Sequence, residues 1–120
     1  MVPGGAPSMA HAILGQPWDE AAAISTHADG LAVRVPIRGI VEELKELIDD
    51  TWLVEESRLL PAVKSLIELE QVMVEPSAAI TLAGLVERHE VSGKRVAAVL
   101  TGAHLRPTLI PDIMCGDGLL

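Results

Sequence analysis

The sequence predicts an α/β fold in which helices pack on short parallel strands, and three observations carry that prediction. Nearly half of the 120 residues are hydrophobic, yet Phe and Tyr are absent and Trp occurs only twice. A core must then be built from Leu, Val, Ile and Ala, the palette of helices laid on parallel strands. Apolar residues recur at helical spacing in three stretches, and short runs of branched residues stand between those stretches. The length suits one modest domain with a single core.

From the N-terminus, Ala6 to Leu14 reads as a short helix stopped by Gly15, with Pro17 just beyond. Gln16 to Ser25 is a loop, and Thr26 to Gly30 a turn centred on Asp29-Gly30. Leu31 to Pro36 is short, apolar and extended. Gly39 to Asp50 is a helix with Ile40, Val41, Leu44, Leu47 and Ile48 on one face and Glu42, Glu43, Lys45 and Glu46 on the other. Thr51 to Val54 is a short strand. Glu55 and Glu56 suit a first helical turn, where carboxylates face the positive end of the dipole. Leu59, Leu60, Val63, Leu66 and Ile67 continue at helical spacing. Pro61 within that pattern requires that the helix start later than Glu55 or bend.

Val72 to Val74 is a strand or its remnant, and Pro76 fits the first position of the next helix, where its missing N–H costs nothing. That helix carries Ala78, Ala79, Leu82, Leu85 and Val86 on one face and ends near Glu90. Ser92-Gly93-Lys94 is a turn. Arg95 to Leu100 reads as a strand buried on both faces. The tail from Leu105 to Leu120, with two prolines and two glycines, is expected to be mostly irregular.

The net charge of −8 comes without any Lys/Arg cluster, which argues against nucleic acid and anionic membranes as partners. The single cysteine, Cys115, rules out an internal disulfide framework and a Cys-based zinc site. No apolar stretch is long enough to span a bilayer, and the first residues lack the basic start and apolar run of a signal peptide. A cytoplasmic, soluble protein is expected. His11, His27, His89 and His104 have no metal-ligand spacing, so no metal site is expected.

Two polar positions stand at exits from apolar runs: Glu75 after Val72-Met73-Val74, and Thr101-Gly102 after Arg95 to Leu100. Ligands of open α/β sheets bind beyond the carboxyl ends of strands. Glu75 and Thr101 are therefore placed to line a crevice. Taken singly, each has a plainer reading: Glu75 as a cap of the helix at Pro76, Thr101 as a strand-end hydroxyl, Gly30 as a turn glycine.

Five segments in order, from Val2 to about His104, resemble the serine/threonine dehydratase family of pyridoxal-phosphate enzymes, of the tryptophan-synthase β-type fold (fold type II). They are Gly5-Ala6-Pro7-Ser8-Met9, Asp29-Gly30-Leu31-Ala32-Val33, Leu47-Ile48-Asp49-Asp50 with Glu55-Glu56, Val74-Glu75-Pro76-Ser77, and Gly93-Lys94-Arg95-Val96 through Leu100-Thr101-Gly102. The resemblance implies part of a catalytic domain over residues 1–104, followed by a tail over 105–120. It implies pyridoxal 5'-phosphate as cofactor, L-threonine or L-serine as substrate, and β-elimination to a 2-oxo acid and ammonia. It also implies cofactor contacts from four residues. Thr101 would hydrogen-bond the pyridine nitrogen, Gly30 would lie close to the ring, Glu75 would act beside it through charge and hydrogen bonding, and Gly102 is a further cofactor-binding position.

The sequence departs from the family in ways that limit what it can do alone. Lys45, Lys64 and Lys94 do not stand in the family's Ser-x-Lys context for the Schiff-base lysine. Gly4-Gly5 is too short to cradle a phosphate through successive backbone N–H groups. Ala103-His104 replaces the usual Gly-Asn. Val2 and Ser8 stand where some members hold a divalent cation with carboxylates. The chain is thus expected to be a segment of a dehydratase, whether a truncated product, a split-gene fragment or a remnant, inactive by itself, that joins a complementary N-terminal half or forms a homo-oligomer. The alternative is a non-catalytic α/β interaction module derived from such an enzyme.

Overall fold

The computed structural model describes residues 1–120, except the side chain of His89. The fold is α/β, with a small parallel sheet and packed helices. Strand β1 (Val2–Pro3) pairs in parallel with β2 (Leu53–Val54), Val2 opposite Leu53 and Pro3 opposite Val54. The N–H of Gly4 extends the ladder to the Val54 carbonyl at 2.7 Å. A two-residue strand leaves no periodicity in the sequence, so β1 is not among the predicted elements.

Helix α1 (Ser8–Leu14) ends at Gly15, whose φ of 68° is the left-handed conformation expected of a stop glycine. Asp29–Leu31 form one 3₁₀ turn, and no strand ladder follows over residues 31–36. Helix α2 (Arg38–Leu47) has the predicted amphipathic face, but only Val41 on it is buried. Ile40, Leu47 and Ile48 stay exposed. The face was legible, but the described residues leave most of it uncovered.

Helix α3 (Leu59–Glu70) begins after a separate 3₁₀ turn at Glu56–Arg58. Pro61 therefore falls in the first turn, where no intrahelical partner is lost, and the question of a bend is settled by a late start. Helix α4 (Pro76–Val86) has Pro76 at its first position and ends short of Glu90. It buries Ala78, Ala79, Ile80, Ala83 and Gly84, a face rotated from the one expected. The small residues let neighbours approach closely: a Cβ on Gly84 would meet Met1 Sδ at 2.6 Å and Val54 Cγ2 at 3.1 Å. The core is this α3–α4 layer closed by Val54, Val74 and Ala28.

Three expectations are corrected. Arg95 to Leu100 does not form a strand, and it is exposed rather than buried on both faces, with Val96 at 49% and Val99 at 71%. A buried strand needs paired neighbours on each side, and none of the described residues supplies a ladder for it. The same holds for Val72 to Val74, which has no ladder although Val74 is buried. The tail differs in the opposite direction. Pro107–Leu109 form a 3₁₀ turn that leads into helix α5 (Ile110–Cys115), and Leu109 and Ile113 enter the core against α3.

Polar ties fasten the tail. The buried Ser65 hydroxyl accepts the N–H of Leu119 at 2.7 Å and of Leu120 at 3.3 Å. Lys64 Nζ donates to the carbonyls of Gly116 at 2.7 Å and Met114 at 3.3 Å. Ile113 is 2% exposed, so Ile113→Ala should cost about 2–4 kcal/mol in urea unfolding, while Met114→Ala at an exposed position should stay within about 0.5 kcal/mol. Equal effects of the two substitutions would show that the tail does not belong to the core.

Candidate functional site

The N-terminus of α4 is where distant segments converge. The backbone N–H of Glu75 donates to the Gly102 carbonyl at 3.1 Å, joining the residue before α4 to the end of the extended run 95–102. The Glu75 carbonyl in turn accepts the N–H groups of Ala78 and Ala79, each at 3.0 Å, which seats the first turn of the helix. From the other side comes the Asp29–Leu31 turn. The N–H of Gly30 donates to Ser77 Oγ at 3.1 Å and to Asp29 Oδ1 at 2.9 Å.

Three of the four sequence-predicted site residues therefore meet. A Cβ on Gly102 would run into the Glu75 carboxylate, and a Cβ on Gly30 would lie 3.9 Å from Glu75 Oε1 and 3.0 Å from Ser77 Oγ. Glu75 is partly buried between two glycines whose missing side chains make room for it. Glu75 is the N-cap residue of α4, as its plainer reading has it, but it caps through its backbone and position, since its side chain makes no capping hydrogen bond. Thr101 is exposed and next to Gly102 in the chain.

Sequence reasoning missed two residues here. Ser77 was only part of a motif, because the backbone partner of its hydroxyl lies 47 residues away. Glu56 stands in a first helical turn as expected, the 3₁₀ piece before α3, and its carboxylate also accepts the N–H of Gly5 at 3.0 Å and of His27 at 3.2 Å, tying the end of β1 to the segment that leads into Gly30. Gly5 is packed so tightly on the Ser25 carbonyl that no side chain fits there. Arg106 Nε lies 3.6 Å from Asp29 Oδ2 and brings the tail to the same turn.

A second polar cluster stands at the edge of the sheet. Trp52 Nε1 donates to Asp50 Oδ2 at 2.5 Å, the N–H of Thr51 donates to Asp50 Oδ1 at 2.7 Å, and the Arg88 guanidinium lies 4.5 Å above the Trp52 ring. The Trp52 hydrogen bond first, then that of Thr51, holds the Asp50 carboxyl below its ordinary range. Burial pushes the Met1 amino group down, against the opposing pull of Asp50. Among the described residues, no group of three or more His, Cys, Asp or Glu side chains comes together as a metal site, and the side chain of His89 lies outside them. Nor is any helix among them long and apolar enough to cross a membrane.

Comparison with known proteins gives this geometry a context. The model of the pyridoxal-phosphate dependent enzyme family matches residues 1–102. The chain is 32% identical over 89 residues to an L-threonine ammonia-lyase of Thermotoga maritima, covering 74% of this chain and 22% of that protein. It is 37% identical over 82 residues to an L-threonine ammonia-lyase of Geobacter sulfurreducens, covering 67% of this chain and 20% of that protein. A solved threonine deaminase from T.th. superposes with a TM-score of 0.74 at 26% identity, over 87% of this chain and 34% of that one. Maize serine racemase shares the fold, with a TM-score of 0.69 at 23% identity over 94% of this chain and 36% of its own. The chain thus spans about a fifth of the length of these curated relatives and about a third of the solved ones.

The depressed Asp50 has a testable pH signature. A carboxyl whose folded pKa lies below its unfolded value adds stability above that unfolded value, near pH 4, and loses it as pH falls through the lower folded one. Trp52→Phe removes the first cause while keeping a ring beneath Arg88. It should move the Asp50 titration upward in carboxyl-detected NMR, and an unchanged titration would assign the depression elsewhere.

Proposed function

The chain belongs to the pyridoxal-phosphate dependent enzyme family, and on that premise we propose that it forms one wall of the cofactor pocket in an L-threonine or L-serine dehydratase. Pyridoxal phosphate is the cofactor that membership implies. The observation that carries the proposal is the meeting of Gly30, Glu75 and Gly102, from three separate segments, at one end of α4. The two glycines permit that meeting, each at a point of close approach where a side chain would press on Ser77 or Glu75.

Four residues face the cofactor in this reading. Gly30 and Gly102 bring bare backbone to the site and give up side-chain volume to Ser77 and Glu75. Thr101, exposed beside Gly102, offers a neutral hydroxyl to the pyridine nitrogen. Unlike a carboxylate, that hydroxyl does not stabilise a protonated ring. Glu75 contributes charge and hydrogen-bonding capacity from its place between the glycines. When bound, the cofactor supplies the electron sink for β-elimination, which releases a 2-oxo acid and ammonia. Orientation and electrostatics are the protein's share.

Covalent attachment and phosphate anchoring belong elsewhere. Lys64 is occupied by the carbonyls of Met114 and Gly116 and lies 3.5 Å from Glu68. Lys45 stands on α2, and Lys94 is exposed in the turn at Gly93. The N–H groups of Gly4 and Gly5 are already bonded to Val54 and Glu56, which leaves no cradle for a phosphate. We therefore read residues 1–104 as a dehydratase segment, inactive alone, that works with a complementary N-terminal half. The uncovered apolar residues Ile40, Leu47, Val96 and Val99 support such a partner. They equally suit a second copy of the chain, or the reading of a non-catalytic interaction module. The free thiol of Cys115 and the absence of any second cysteine support a cytoplasmic setting.

Purified chain supplied with pyridoxal phosphate and L-threonine should release no 2-oxobutanoate above the rate of free cofactor. Steady release at a higher rate would show that a lysine of this chain serves the chemistry, and would overturn the assignment of attachment to another segment.

A further inference from the structure

We propose that Ser77 is a positioning residue of the candidate site: its hydroxyl fixes the Gly30 backbone against the start of α4 and so sets where the Gly30 turn stands beside Glu75 on the wall that a cofactor would meet. The inference rests on the cofactor reading above and adds to it a residue that touches no cofactor itself. Ser77 is the second residue of α4, two positions past Glu75. The bonds from Ala78 and Ala79 to the Glu75 carbonyl make Ser77 and Glu75 parts of one rigid first turn. The Gly30 turn is a short 3₁₀ piece, and its N–H is shared between Asp29 Oδ1 within the turn and Ser77 Oγ across it.

Only the second of those bonds says where the turn sits relative to Glu75. Asp29 holds Gly30 to itself, and the Asp29–Arg106 pair is exposed on both sides and weak for that reason. The close approach has a steric counterpart, since a Cβ on Gly30 would sit 3.0 Å from Ser77 Oγ and 3.4 Å from Ser77 Cβ. Glycine at 30 and a hydroxyl at 77 are thus a matched pair. Threonine at 77 keeps the acceptor, whereas alanine removes it.

The test uses the full chain, with pyridoxine 5'-phosphate as a probe that cannot form imines. Amide hydrogen exchange at Gly30 and probe affinity by NMR titration are read in the parent, Ser77→Ala and Ser77→Thr. Ser77→Ala should speed Gly30 exchange and weaken probe binding, each about fivefold for one lost neutral hydrogen bond, and Ser77→Thr should restore both. Gly30 exchange unchanged by Ser77→Ala would overturn the proposal, because the bond would then not hold the turn. Faster exchange with unchanged probe affinity would overturn it too, since the turn position would not matter to the ring. A parent chain that takes up no probe would overturn the role given to Ser77 in this chain, while the reading of one wall completed by another segment would stand or fall by the spectrum of the completed pocket.

Discussion

The close packing of small residues along α4 is the constraint on which the rest of the structure depends. Ala78, Ala79, Ala83 and Gly84 form a face with almost no side chain, so α3 and Val54 can press directly against the helix. Larger residues there would push the strand pair and α3 outward. Because α4 is pinned at that depth, its first turn is pinned as well. Pro76 starts the helix, the Glu75 carbonyl accepts its first bonds, and the Glu75 N–H reaches back to Gly102. The Gly30 turn then docks on Ser77. Apolar packing thereby decides where a partly buried carboxylate stands, and two glycines make that position sterically possible.

The helices were legible in the sequence because each rests on local rules. Gly15 stops α1, Pro76 starts α4, and the α2 stripe repeats at helical spacing. The strand at Leu53–Val54 was legible too, but neither its parallel partner Val2–Pro3 nor its tie to Gly4 was, because these pairings join opposite ends of a long stretch of chain. Arg95 to Leu100 shows the opposite failure. Its composition is that of a strand buried on both faces, but composition states what a segment needs rather than what surrounds it. Here the segment is held by the Thr81 hydroxyl on the Val99 carbonyl at 3.4 Å and by the Glu75 tie just beyond its end. In the tail, two prolines and two glycines concealed a helix, because both Pro107 and Pro111 fall at helix starts, where proline is tolerated.

The candidate site was legible through motifs and through a strand-end rule whose two strands, at 72–74 and 95–100, do not form. No spacing rule joins Gly30 to Glu75 or Glu75 to Gly102, and each residue has a plainer reading when taken alone. The fold brings the three together at the N-cap of α4, where Glu75 stands without a side-chain capping bond. Ser77 and Glu56 were illegible as site-builders, since a hydroxyl or carboxylate that accepts a backbone N–H from 29 to 51 residues away leaves no trace in local sequence. Such acceptors position a site without belonging to its chemistry.

The central claim is that these residues form one wall of a pyridoxal-phosphate pocket completed by another segment. The direct measurement is a visible absorbance spectrum of a chimera, in which residues 1–104 replace the matching segment of the Thermotoga maritima L-threonine ammonia-lyase. With every other segment supplied by that protein, the expected outcome is a folded chimera that takes up pyridoxal phosphate and keeps its visible band through desalting. A chimera that folds cooperatively yet shows no such band would contradict it.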